Sequence, residues 1–245
     1  MDVWLLKLFN HWVARSPDAF YKALSLSNQP SWLIAACTIV SLWFVGKPEL
    51  GKPEADSLKS RRLTRLESRR RVVLLFVALV MSFVMTRVLA SIFARPRPLV
   101  NALLEIPIDP IVWKDVKGAL SLQGAFPSDH AAMFAVITTG VFSINRWAGC
   151  VALIVSLYFS ALRIGIGFHW PSDIFVGALI GVLITLLLLV IKPRLHRVLD
   201  PLLLQFERFP TIAYPVAFVI LLDLSQKFSG LFSLLSLILG HPVAH

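Results

Sequence analysis

The chain has 245 residues, of which 57% are hydrophobic and 16% charged, against roughly 45–50% and about 25% in ordinary soluble domains. This excludes a soluble globular domain, and the long continuous apolar blocks exclude a disordered or collagen-like chain. Lysine and arginine number 24 against 14 acids, a formal charge of +10, but the basic residues flank apolar blocks, which is the pattern of membrane topology and not of nucleic-acid binding.

In chain order, Trp4, Leu5, Leu8, Phe9 and Trp12 recur at helical spacing beside Lys7, Asn10 and His11. This predicts an amphipathic N-terminal segment over residues 1–30, lying in the outer membrane interface. A cleaved signal peptide fits this segment poorly, since no apolar stretch leads to a small-residue cleavage site. Six apolar blocks follow: Ser31–Val45, Val72–Phe93, Ala131–Ile144, Trp147–Leu162, Ile174–Ile191 and Thr211–Leu239. A crossing takes about 20 apolar residues. The third block is short and borrows a turn from Ser128, a good N-cap. The last contains Asp223, Gln226 and Lys227, and reads as one bent helix or as a span plus an interfacial segment. The expected fold class is therefore all-α, a polytopic helical bundle with about six transmembrane helices, its membrane domain covering residues 31–245. Cys37 and Cys150 lie inside apolar blocks and read as packing residues, not as a disulfide or metal site.

Orientation follows from lysine and arginine in short loops, which stay cytoplasmic. The loop 46–71 carries nine of them and is expected inside; alternation then puts Arg146 and the Lys192–Arg208 stretch inside too, and loops 94–130 and 163–173 outside. The scheme gives 14 basic residues inside and eight outside.

Those two outer loops hold nearly all the chemistry. One contains Arg95-Pro96-Arg97-Pro98 and later Pro127-Ser128-Asp129-His130; the other contains Arg163, His169 and Asp173. Guanidinium groups bind phosphate oxygens in pairs, a serine hydroxyl or helix N-terminus donates further hydrogen bonds, and histidine near neutral pH attacks or carries a proton. The set points to phosphoryl transfer. His169 and Asp173 are four apart, with Pro171-Ser172 opening the fifth helix. The carboxylate is thus expected to turn back, fix the tautomer of His169 and leave its other nitrogen as nucleophile, with His130 as the acid.

Plainer readings apply to each residue alone: Arg95 and Arg97 as interfacial anchors, His130 as a structural histidine, Asp173 as a helix cap. Arg163 resists one, because it closes an apolar run where an unpaired charge is costly. A metal-dependent hydrolase with His130, His169 and Asp173 as ligands leaves three arginines crowding a cation. A non-catalytic lipid-phosphate binder or transporter is the other rival.

These residues resemble the type 2 phosphatidic acid phosphatase superfamily, integral-membrane lipid phosphatases whose signature is Lys-x6-Arg-Pro, Pro-Ser-x-His, then Ser-Arg-x5-His-x3-Asp. Arg97-Pro98 resembles the end of the first part; residues 127–130 match the second in full; Arg163, His169 and Asp173 match the third at its spacing. The likeness covers about residues 72–191. It implies a six-span helical bundle with no metal or organic cofactor. It also implies that His169 attacks phosphorus, Asp173 orients it and His130 protonates the leaving oxygen, while Arg97, Ser128 and Arg163 hold phosphate oxygens. Arg95 and Asp129 are further candidate substrate contacts. Two positions depart from the signature: Ala90 stands where lysine belongs, and Leu162 replaces the serine. Arg87 and Arg95 are the candidate stand-ins for that lysine. Pro-Ser-Asp-His and the Arg-Pro-Arg-Pro run resemble bacterial members acting on undecaprenyl pyrophosphate, with phosphatidylglycerol phosphate, phosphatidic acid and lipid A phosphates as alternatives. The expected place is a bacterial inner membrane, with the site facing the periplasm or exterior.

Overall fold

Apolar runs uninterrupted by turn formers satisfy their backbone groups internally, as helices. The computed structural model describes residues 2–27, 29–45, 65–100, 104–107 and 124–225, and all regular structure among them is helical. In chain order the helices are α1 (Asp2–Val13), α2 (Pro17–Ser27), α3 (Gln29–Phe44), α4 (Arg65–Ile92), a 3-10 turn at Pro98–Val100, α5 (Asp129–Ile144), α6 (Arg146–Gly165), α7 (Pro171–Arg208) and α8 (Pro210–Ser225).

Each of the six apolar blocks falls on a helix as far as the described residues reach, and among the described residues three helices are long and apolar enough to cross a membrane: Leu66–Ile92, Arg146–Gly165 and Pro171–Leu195. The shortness of α5 has a physical reason. Its 16 residues rise about 24 Å, less than the ~30 Å of hydrocarbon, and it is enclosed by α4, α6 and α7, with His130 to Thr138 buried without a break. A helix enclosed in this way meets protein along most of its length, so its length is not set by the hydrocarbon thickness. Ser128 caps it, its Oγ accepting from Ala131 N at 3.3 Å. Asn145 ends it and caps α6, its Oδ1 accepting from Trp147 N at 2.9 Å and Ala148 N at 3.1 Å.

α7 lies directly on α5 because Gly177 and Gly181 remove the side chains between them. A Cβ on Gly177 would stand 2.3 Å from the Ser128 carbonyl oxygen, and one on Gly181 would stand 2.3 Å from that of Ala132. Small residues at four-residue spacing are the usual device for close helix contact in membranes.

The structure corrects one expectation, the packing of the cysteines, and adds detail to two others. The Lys192–Arg208 stretch, expected inside, continues α7 as helix through Pro193 and Pro201; its polar side is tied to the basic start of α4 by Arg70 Nε–Asp200 Oδ1 at 2.7 Å, Arg69 Nη1–Glu207 Oε1 at 3.2 Å and a Lys192–Glu67 pair. Cys37 and Cys150 are exposed on the bundle's outer surface and are not packed inside it. The N-terminal segment is two helices, and α1 is packed against α6: Asn10 Nδ2 donates to Gly165 O at 3.0 Å and Glu105 O at 3.1 Å. Leu6 and Val13 are buried with Asn10, whereas Trp4, Leu8 and Trp12 face outward. Of the expected features, most of loop 46–71 and the end of the last block, residues 226–239, lie outside the described residues.

Candidate active site

The C-terminal ends of α4 and α6 and the N-terminal ends of α5 and α7 meet at one end of the bundle. Backbone bonds knit their connections: Ala125 N to Arg95 O at 2.8 Å, Leu99 N to Gly167 O at 2.9 Å, Ser128 N to Asp173 O at 3.1 Å. Gly167 turns the chain between Arg163 and His169 at φ +86°, a conformation that favours glycine.

His169 is 2% exposed, and its Nδ1 lies 2.7 Å from the Ala125 carbonyl oxygen. A carbonyl only accepts, so Nδ1 carries the proton and Nε2 presents its lone pair. Nε2 is buried and has no hydrogen-bond partner among the described residues. Burial, then the charges of Arg163 and Arg97, push the imidazole well below its ordinary value of 6.5, outweighing Asp129 and the Ala125 carbonyl. The ring is neutral at physiological pH.

Two guanidinium groups flank the preceding residue: Arg163 lies 5.2 Å and Arg97 5.8 Å from the Phe168 ring centre. Arg97 Nη1 donates to Phe168 O at 3.3 Å; burial pushes its pKa below the ordinary value, against the pull of Asp129. Arg163 Nη1 donates to Ser27 O at 3.0 Å, at the C-terminus of α2, while its Nε is buried without a partner among the described residues. Ser128 and His130 are fully buried. His130 Nδ1 meets Asp129 Oδ1 at 2.8 Å, and Asp129 Oδ2 pairs with Arg87 Nη2 at 3.5 Å.

All the residues singled out from sequence therefore gather at this end, but three are engaged differently from expectation. Asp173 does not hold the His169 ring: its Oδ2 accepts from Trp170 N at 2.8 Å and its Oδ1 takes Arg95 Nη1 at 2.6 Å, while the Ala125 carbonyl occupies the place at Nδ1. The plainer reading, a cap at the start of α7, describes its contacts. Arg95, expected on the phosphate, is held by Asp173, by Ser172 Oγ at 2.7 Å and by Asp2 Oδ2 at 3.1 Å. Asp129, a carboxylate that would repel phosphate, holds His130 and Arg87. Sequence reasoning missed Asp2, Ser172 and the carbonyls of Ala125 and Ser27. Ser172 beside Pro171 was a visible cue; backbone acceptors and a contact spanning 170 positions leave none.

A helical bundle with three helices of spanning length among the described residues, and with a buried imidazole beside guanidinium groups at one end, is the architecture of a polytopic membrane protein. Residues 71–197, 127 of 245, match the PAP2 superfamily, and the chain belongs to that superfamily. It is 29% identical over 139 residues to the bacitracin transport permease protein BcrC of Bacillus licheniformis, covering 54% of this chain and 62% of that one. It is 32% identical over 78 residues to the lipid A 1-diphosphate synthase of Escherichia coli (strain K12), covering 31% and 33%. The chain thus aligns with less than two thirds of either relative. No solved structure matches it.

Proposed function

We propose that this protein is a metal-independent membrane phosphatase that hydrolyses a lipid phosphate or pyrophosphate, with undecaprenyl or another polyprenyl pyrophosphate as the first candidate. The observation that carries the reading is the buried His169 Nε2, without a partner among the described residues, on a ring kept neutral by burial and by the guanidinium groups of Arg163 and Arg97. The same two groups that keep the nucleophile unprotonated attract the phosphate it attacks.

In the first step the Nε2 lone pair forms a bond to phosphorus and the bond to the bridging oxygen breaks. His130, its Nδ1 proton directed at Asp129, donates its Nε2 proton to that oxygen. Arg97, Arg163 and the Ser128 hydroxyl hold the nonbridging oxygens as charge shifts onto them, helped by the N-terminus of α5. In the second step His130 takes a proton from water, the hydroxide oxygen bonds phosphorus, the N–P bond breaks, and inorganic phosphate leaves with His169 neutral again.

The same reading includes six spans, with α5 buried among the others, and a site facing the cell exterior or periplasm of a bacterial inner membrane. Its support is that Arg69, Arg70, Arg71 and Lys192 lie at the bundle end opposite the site, where cytoplasmic lysine and arginine belong. Trp4, Leu8 and Trp12, exposed along α1, fit a helix resting in the interface. Phosphatidylglycerol phosphate, phosphatidic acid and lipid A phosphates offer the same chemistry to the site. The relatives' names, a bacitracin transport permease and a lipid A 1-diphosphate synthase, suggest two further readings: transport without turnover, and transfer of the phosphoryl group to a lipid acceptor in place of water.

One assay separates these. Purified protein in detergent with EDTA is given a panel of lipid phosphates and pyrophosphates, and free phosphate and phosphorylated lipid are measured. Hydrolysis yields free phosphate, transfer yields a lipid diphosphate, and a transporter yields neither. His169→Ala is expected to lower turnover by roughly 10³-fold or more while the protein still folds; retained turnover removes His169 from the nucleophile's role.

A further inference from the structure

Both contacts that orient His169 lead back to Arg95. On one side, Nδ1 donates to Ala125 O, and Ala125 N donates to Arg95 O at 2.8 Å. On the other, the peptide that follows His169 is held by Trp170 N donating to Asp173 Oδ2, and Asp173 Oδ1 receives Arg95 Nη1. The Arg95 guanidinium also lies 5.0 Å from the Trp170 ring centre, and Trp170 Nε1 donates to Pro96 O at 3.0 Å. Arg95 therefore fixes, through its backbone, the acceptor that sets the His169 tautomer and, through its side chain, the peptide beside it.

The far side of the Arg95 guanidinium is fixed from α1. Nη2 pairs with Asp2 Oδ2 at 3.1 Å, and Asp2 accepts from Ser172 N at 3.2 Å and Ser172 Oγ at 2.5 Å. Ser172 Oγ in turn accepts from Arg95 Nη1, which closes a ring of three residues at the start of α7. Burial raises the Asp2 carboxyl, and the hydrogen bonds from Ser172 and Arg95 more than reverse this, leaving it below its ordinary value and ionised. α1 is a firm anchor: Asn10 bonds Gly165 O and Glu105, and a Cβ at Gly165 would come within 2.8 Å of Phe9 O.

We propose that Asp2, which lies outside the family-matched segment, is a positioning residue of the active site, holding Arg95 against Asp173 and thereby His169 in its attacking orientation. This rests on the phosphatase reading above. It also assigns Arg95 to positioning and not to phosphate.

The test uses the full-length protein in detergent with a polyprenyl pyrophosphate and a double-mutant cycle. Asp2→Asn is expected to lower kcat by ~10-fold through misplacement of the nucleophile, with KM little changed because Asp2 does not touch substrate; Asp2→Glu restores most of the loss. In an Arg95→Gln background Asp2→Asn has little further effect, because the link it acts through is already cut. An unchanged kcat in Asp2→Asn, a change confined to KM, or an undiminished further loss in the Arg95→Gln background overturns the proposal. A second readout is independent of turnover: labelling of His169 by diethyl pyrocarbonate, followed by mass spectrometry, is expected to become severalfold faster in Asp2→Asn. If the wild type releases no phosphate, the phosphatase reading fails, and an unaltered labelling rate then rejects the anchor on its own.

Discussion

Both ends of the helical bundle are rich in arginine and pair some of it with carboxylates, Arg95 with Asp2 and Asp173 and Arg87 with Asp129 at the site end, but Arg163 makes the difference between them. At the end formed by the start of α4 and the tail of α7, positive charge meets carboxylates: Arg70 with Asp200, Arg69 with Glu207, Arg71 and Lys192 with Glu67. At the other end Arg163 is 3% exposed, yet it has a backbone carbonyl and the face of Phe168 as neighbours, and no carboxylate within ion-pair distance among the described residues. Burying a charge without a counter-charge is costly. A site that does so retains positive potential for an anion, whereas the paired end closes its charges on itself and braces two helices.

The sharpest way to break this contrast is to neutralise one guanidinium at each end. Arg163→Gln is expected to reduce kcat/KM by about 10- to 150-fold, the loss of a charged hydrogen bond of about 1.5–3 kcal/mol. Arg70→Gln, in a pair whose partner side chain is 40% exposed, is expected to leave turnover unchanged and cost at most about 1 kcal/mol of stability. Phosphate release and thermal unfolding, measured on both variants, check it; equal kinetic effects erase the distinction between the ends.

Two glycines allow the same comparison in the packing. Gly177→Ala forces a Cβ to within 2.3 Å of the Ser128 backbone oxygen, so α7 must back away from the residue that caps α5, taking Asp173 and His169 with it. A displacement of that order is expected to cost up to ~10²-fold in kcat. Gly140→Ala meets the side-chain end of Leu75 at 2.2 Å, which has rotamers to yield with, and a much smaller kinetic effect is expected.

A gentler probe is acid. His169 is held neutral in the fold, below its ordinary 6.5, whereas in the unfolded chain it titrates near 6.5. Below that value the unfolded state binds the extra proton first, so the contribution is intact above about pH 6.5 and is lost as pH falls towards the depressed folded value. Unfolding midpoints measured against pH are expected to fall on the acid side in the wild type and to fall less in His169→Gln.

The helices were legible because their signal is local: each apolar block carried its own evidence, and Ser128 and Pro171 marked where α5 and α7 begin. The gathering of Arg97, Ser128, His130, Arg163 and His169 was legible because the topology rule placed their loops on one face. What stayed hidden was partnership within that face. Spacing placed Asp173 one turn from His169, yet a carboxylate at the third position of a helix is drawn to the backbone N–H groups at its own start, and Arg95 took its other oxygen. The acceptor that does meet His169 is a main-chain carbonyl, which any residue at position 125 supplies. α5 likewise gave no sign in its composition that its neighbours would be protein and not lipid.

Ala90, where the family signature has lysine, offers the finest test of how positive the site end must be. Arg87, one turn deeper on α4, is 52% exposed at its side chain and reaches Asp129, the residue that holds His130; Arg95 is committed to Asp2, Ser172 and Asp173. Arg87 is thus the better placed of the two to supply the missing charge, and it does so through Asp129, at the edge of the site. Arg87→Gln is expected to lower kcat/KM by a few-fold, less than Arg163→Gln, because an exposed charge is screened. Ala90→Lys is expected to raise activity about two- to fivefold, the gain of a charged hydrogen bond reduced by the entropy of ordering a lysine side chain. In combination, the lysine at position 90 is expected to repair Arg87→Gln. A failure to repair means that the arginine serves Asp129 alone, and that two buried guanidinium groups with the α5 N-terminus supply enough positive potential without a third cation.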